Sequence, residues 1–206
     1  MRKRIVLIAA VMLAAIACLT AAAETMKLDS PLYLQKDRRW RDCLLNPDHT
    51  GGKTIGEAGC ALCVLAMAES TRLGEDVPPD EMLQRIEMSG DDLHWPNGYE
   101  ALARSRKGLL VKQAAPILTA CLDSGRPALV CLSSDTLGTH WVLVYGFDGL
   151  NRDDPQTAHY LIRDPGTKDR VTFNMTKEWF PKIRVIRAYE PDEGLREIAR
   201  KATEEE

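Results

Sequence analysis

The run Gly59-Cys60-Ala61-Leu62-Cys63-Val64-Leu65-Ala66-Met67-Ala68, continuing to Arg72, is apolar on nearly every face that a helix would present. A helix with no polar side to give to water belongs inside the core. Gly74 marks its end. The chain upstream enters through an extended segment, Asp29 to Gln35, and a loop by composition, Asn46-Pro47-Asp48-His49-Thr50-Gly51-Gly52. Downstream, further helices are predicted over Pro79 to Met88, with Met82, Leu83 and Ile86 at helical spacing, and over Asn97 to Arg106, stopped by Gly108. Leu109 to Lys112 reads as a short strand. Pro116 to Ser124 reads as a helix with proline in its first turn and Gly125 at its end. The second half changes period. Pro127 to Leu132, His140 to Phe147, His159 to Arg163, Val171 to Asn174 and Ile183 to Tyr189 are β-branched or aromatic runs split by turn residues, which are strand signals. Helices first and strands second predict an α+β fold around a mostly antiparallel sheet. The charged stretch Asp192 to Glu206 is expected as a peripheral helix or frayed tail.

The chain has 206 residues, one domain's worth. Residues 1–23 read as a leader: Arg2-Lys3-Arg4, an apolar stretch from Ile5 to Leu19, then Ala21-Ala22-Ala23 before Glu24. Two other readings of this segment stand beside cleavage. Ile5 to Ala23 is long enough for an uncleaved anchor, and Ala17-Cys18 resembles a lipidation site. All three export the domain, expected over residues 24–190 with the 191–206 tail. Loss of the leader removes three of the 27 basic residues; 24 against 30 acidic ones leaves a net charge of −6. Such an acidic balance argues against nucleic acid as a partner. A membrane is a partner only if the leader is retained.

Of six cysteines, Cys18 lies in the leader; Cys43, Cys60, Cys63, Cys121 and Cys131 remain. An odd count in an exported chain leaves at least one thiol free. No spacing here suggests zinc, and no metal or organic cofactor is implied.

Cysteine chemistry needs a thiolate. The partial positive charge at a helix N-terminus and a neighbouring imidazolium both favour the anion. Gly59-Cys60, opening a buried helix, supplies the first; Gly56 and Gly59 allow a sharp turn into it. His140 opens the strand His140-Trp141-Val142-Leu143-Val144-Tyr145-Gly146 and, by the period of two, shares a face with Val142 and Val144. His49, His94 and His159 sit in loop-like or polar segments and are poorer bases. Asp164 ends the strand Tyr160-Leu161-Ile162-Arg163. If that strand pairs with His140–Gly146 across the Asp148–Pro155 loop, Asp164 reaches the histidine's other nitrogen and fixes its tautomer. An oxyanion needs donors: the Cys60 N–H is one, and a glutamine side chain is the usual second. Gln35, in Tyr33-Leu34-Gln35-Lys36-Asp37, offers one.

Taken in order, Leu34-Gln35-Lys36-Asp37-Arg38-Arg39-Trp40, Thr54-Ile55-Gly56-Glu57-Ala58-Gly59-Cys60-Ala61-Leu62, Ala66-Met67, Gly125-Arg126-Pro127, His140 to Gly146 and Asp164-Pro165 resemble the bacteriocin-processing, family thirty-nine, peptidase-like domains of the papain superfamily. The resemblance runs from about Leu32 to Tyr189. It implies a papain-like fold, a peptide or protein substrate, Cys60 as nucleophile, His140 as base, Asp164 as its orienter and Gln35 in the oxyanion hole. Two positions depart from the pattern. Gln35 precedes Cys60 by 25 residues, so the Asn46–Lys53 loop must bulge out. Cys63 stands where relatives commonly carry Thr or Ser.

Plainer readings exist for each residue. Cys60 as a small buried hydrophobe, Cys60 and Cys63 as a redox pair, His140 as a satisfied core histidine and Asp164 as a turn former are the structural alternatives. Cys121 and Cys131 read as core packing more than as a disulfide. Trp40 and Asp37 read as anchors or as substrate contacts, and Glu57 as solvated or as a reader of a basic group. The expected activity is hydrolysis of a peptide or amide bond through a Cys60 thioester. Acyl or peptidyl transfer, cell-wall cross-link cleavage and non-catalytic peptide binding are its alternatives.

Overall fold

A computed structural model describes residues 23–204; the leader, apart from Ala23, lies outside the described residues. The helix that opens at Cys60 is preceded by a single turn. Ile55–Ala58 forms α1 and Cys60–Leu73 forms α2, joined at Gly59. Gly59 has an ordinary φ of −80°, so its freedom to turn is not what the position uses. A Cβ there would lie 2.5 Å from the Ile55 carbonyl oxygen, so only glycine lets the two helical pieces stack this closely. Leu62 to Ser70 are all buried, and each large apolar side chain so placed contributes roughly 1.5–3 kcal/mol over exposure. Gly74, left-handed at φ 70°, ends α2 by donating to the Ser70 carbonyl.

The sheet is antiparallel throughout. Its strands are β1 Glu24–Lys27, β4 Tyr99–Leu109, β5 Ala128–Ser134, β6 Gly138–Leu150, β7 His159–Arg163 and β8 Lys182–Tyr189; a separate hairpin joins β2 Met88–Ser89 to β3 Asp92–Leu93. The order runs β4-β8-β5-β6. Leu143 and Val144 of β6 pair with both β5 and β7, and Gly146 and Phe147 pair with both β1 and β7. β7 therefore holds one edge of β6, while β5 and β1 follow one another along the other. Both sheet faces are covered. On one, α2 and α3 (Pro79–Leu83) pack with Leu129, Leu143, Trp40 and Tyr33; on the other, α4 (Val111–Asp123) and α5 (Glu193–Glu204) pack with Val130, Val142 and Val144. The unbroken apolar run of β5 follows from this burial on both sides.

Several elements differ from expectation, each for a local reason. Asn97 to Arg106 is not a helix: Tyr99–Leu109 pairs with β8. The register shift after Ala101 breaks the alternation, so Tyr99 enters the core on the α2 side and Ala103 the core on the other, although a regular strand would place both on one face. Leu109 to Lys112 is no strand of its own; it spans the end of β4 and the start of α4. That helix begins five residues before Pro116, which sits inside it, and the Gln113 side chain accepts from the Leu110 N–H at the N-cap. The helix from Pro79 stops at Leu83, after which Gly90 (φ 61°) turns the β2–β3 hairpin. Val171 to Asn174 is not a strand: one bridge, Leu161 to Thr172, precedes a 3-10 turn over Phe173–Thr176. β1 is a further strand, too polar to carry the signal. The charged tail is a docked helix, with Leu195 and Ala199 in the main core.

Candidate active site

β7 ends at Arg163, opposite Leu143 of β6, so the first residues of β6 have an open edge. A cleft of about 870 Å³ lies there, with Cys60, His140, Gln35 and Trp141 in its walls. Val142 and Val144 face away from α2, whereas His140, nearer the start of the same strand, lines the cleft with Cys60. Its meeting with Cys60 on α2 thus takes place at the open end of β6.

The His140 ring is nearly buried. Its Nε2–H donates to Asp164 Oδ1 at 2.7 Å, which leaves Nδ1 unengaged by Asp164, and Cys60 shares the same cleft. Phe180 stacks against the ring, with centroids 5.0 Å apart and planes at 23°. Burial opposes protonation of His140, but the Asp164 carboxylate and the Cys60 sulfur outweigh it and raise its pKa to about 9. Asp164 has no exposed side-chain surface. Burial pushes its carboxyl up, and His140, the Gly166 N–H (2.7 Å to Oδ1) and Arg170 (Nη1 to Oδ2, 2.8 Å) together hold it below the ordinary value. The Asp-Pro-Gly turn is thus present, and its aspartate also bonds the histidine.

Gln35 reaches the site despite its distance in sequence. The Asn46–Lys53 segment is a closed excursion, pinched by the Leu44–Thr54 bridge and by Ile55 and Gly56 N–H bonds to the Cys43 and Arg41 carbonyls. Gly56 permits this approach, since a Cβ there would meet Arg41 O at 2.9 Å. The Gln35 N–H donates to Pro165 O at 2.9 Å, tying it to the Asp164 turn, and its side-chain Nε2 donates to Gly56 O at 3.2 Å. An amide nitrogen has two N–H groups; the second remains for a ligand. Cys60 begins α2, and the Gly59 carbonyl takes the N–H of Cys63, so the first N–H groups of the helix stay available.

The neighbouring residues divide clearly. Trp40 is an anchor, buried with its Nε1–H on Leu34 O and its ring edge-on to Tyr33. Asp37 pairs with Arg39 in the same turn. Glu57 caps α1, accepting from the Thr54 N–H and hydroxyl. His49 lies beside Asp91 and His94 beside Glu87, outside the cleft walls. Among the described residues all five cysteines are free. Burial drives the thiol of Cys63 well up, that of Cys121 up to about 12 and that of Cys131 up to about 11, whereas Cys60 and Cys43 are half-buried.

Arg170, Phe180, Trp179 and the hairpin wall of Leu93 and Trp95 complete the cleft. Nothing in the order of the residues pointed to them, because irregular loops bring them in. Comparison with known protein families, with curated proteins and with solved structures returns no match to this chain.

Proposed function

We propose that this chain is a cysteine peptidase-like hydrolase of papain-like fold, akin to the bacteriocin-processing peptidases, exported by its leader and acting on a peptide or protein. The observation that carries the reading is the His140 ring bonded to Asp164 (2.7 Å) and sharing one cleft with Cys60 at the start of a buried helix. His140 takes the thiol proton to form a thiolate–imidazolium pair before substrate arrives, and the sulfur then attacks the substrate carbonyl. The Cys60 N–H and the free Gln35 N–H receive the oxyanion. As the tetrahedral intermediate collapses, His140 returns its proton to the leaving amine. A water molecule, deprotonated by His140, then cleaves the thioester and releases the acid.

A protonated His140 is part of this resting pair, so turnover should fall as pH rises through about 9. The stability linkage runs the same way. The raised His140 pKa gives stability that is fully present below its ordinary 6.5 and lost as pH rises through about 9; the lowered Asp164 pKa gives stability lost as pH falls below 3.8. Turnover measured from pH 6 to 10 and thermal melting from pH 2 to 10 check both limbs, and an alkaline limb already complete near 7 would speak against the pair.

The reading is tested by a peptide-library digest with wild type and Gln35→Ala. Wild type should cleave, and the variant should lose about a hundred- to a thousandfold in turnover, the worth of one oxyanion donor. Its Cys60 alkylation rate should hardly change, because alkylation forms no oxyanion. Equal turnover by both proteins would remove Gln35 from the mechanism; no cleavage of any peptide by wild type would remove the hydrolase.

A further inference from the structure

Arg170 stands behind the aspartate on the 164–172 loop and is used by none of the steps above. Its Nη1 donates to Asp164 Oδ2 at 2.8 Å, its side chain is 23% exposed, and its guanidinium lies 5.6 Å from the Trp179 ring centre. We infer that Arg170 is a positioning residue: it fixes the plane of the Asp164 carboxylate and completes a row of alternating charges, Cys60 thiolate, His140 imidazolium, Asp164 carboxylate and Arg170 guanidinium, with no net charge. This rests on reading Cys60, His140 and Asp164 as the catalytic triad.

The oxygens of Asp164 are divided between two tasks. Oδ1 serves His140 and the Gly166 N–H, and among the described residues Arg170 is the donor to Oδ2. Without Arg170 a fully buried carboxylate oxygen is left unsatisfied, and the carboxylate is free to rotate about its bond. Charge gives a second effect. Thiolate, imidazolium and carboxylate alone sum to −1 in a water-poor site, which is costly. The guanidinium neutralises it and also tempers the pull of Asp164 on the imidazole proton. The other charged groups of the cleft are Lys36 beside Gln35, Lys53 and Glu57 ahead of Cys60, and Asp91 and Asp92 on the hairpin. Glu57 is bonded to Thr54, and Asp91 to the Lys53 N–H beside His49, and none of the five donates to Asp164.

The test follows the His140 ring by NMR in the full chain, its signal assigned by its loss in His140→Ala. In Arg170→Leu a positive neighbour is gone, so the His140 titration should move up by about one pH unit. Arg170→Lys restores the charge and should bring it back to the wild-type position. Should Arg170→Leu fail to fold, Arg170→Gln decides instead: it keeps a donor to Oδ2 without charge and should show the same upward shift. A His140 titration that stays put in the uncharged variant, or that Lys does not restore, overturns the inference. No substrate is involved, so a wild type that cleaves nothing would condemn the triad reading without touching this measurement.

Discussion

His140→Ala should lower peptide turnover by about ten-thousandfold, the upper end of what a general acid–base group contributes. The expectation is this large because the proposed mechanism gives His140 three steps: removing the thiol proton, giving it to the leaving amine and activating the water. The fold should survive. His140 lies at the open end of β6, backed by Phe180, not among the apolar side chains that join the sheet to its helices. The same substitution should also slow alkylation of Cys60, since the neighbouring imidazolium favours the thiolate. Circular dichroism, turnover and alkylation on one preparation separate these effects. Wild-type turnover in His140→Ala, or loss of turnover on replacing His49 instead, would move the base elsewhere.

Asp164→Asn should damage both activity and stability, for reasons visible in the hydrogen bonds. Oδ1 accepts from His140 and Gly166, and Oδ2 from Arg170. An asparagine amide has one accepting oxygen. If that oxygen keeps the two Oδ1 bonds, the new NH2 group faces the Arg170 guanidinium, donor against donor; if it turns to Arg170, the NH2 group faces His140 Nε2 and the Gly166 N–H and imposes the wrong tautomer. Turnover should drop by about a hundredfold or more, and unfolding free energy by about 3 kcal/mol, the scale for breaking a buried ion pair. Turnover and chemical denaturation measure the two. A variant with reduced turnover but wild-type stability would mean that the Arg170 contact carries no stability.

Much of this site is legible in the residue order because its parts sit on elements with unmistakable patterns. An all-round apolar stretch behind Gly59 has only one place to go, and the run from His140 to Gly146 is as clearly a strand. The pairing of Leu143 with Arg163 ends β7 just before Asp164, and from beyond the ladder its side chain reaches His140. The α+β architecture with an antiparallel sheet is legible for the same reason. What stays hidden is what irregular backbone decides. The shifts in register along Tyr99–Leu109 erase the period of two. Pro116 looks like a first-turn residue until the Gln113 cap starts the helix earlier. The part of Gln35 depends on a bridge between Leu44 and Thr54 that composition does not announce. Arg170 lies in a charged surface loop, where most arginines are simply solvated.

The central claim is that one thiol of this chain is set apart by its place at the start of a helix beside His140. Brief iodoacetamide treatment at neutral pH, followed by mass spectrometry of the five cysteines of the described fold, tests it most directly. Cys43 is the internal control, since it is half-buried like Cys60 but does not open a helix. The account predicts label on Cys60 well before Cys43, and none on Cys63, Cys121 or Cys131 while the protein is folded. Label that reaches Cys43 as fast as Cys60, or that spreads evenly over all five, would contradict it.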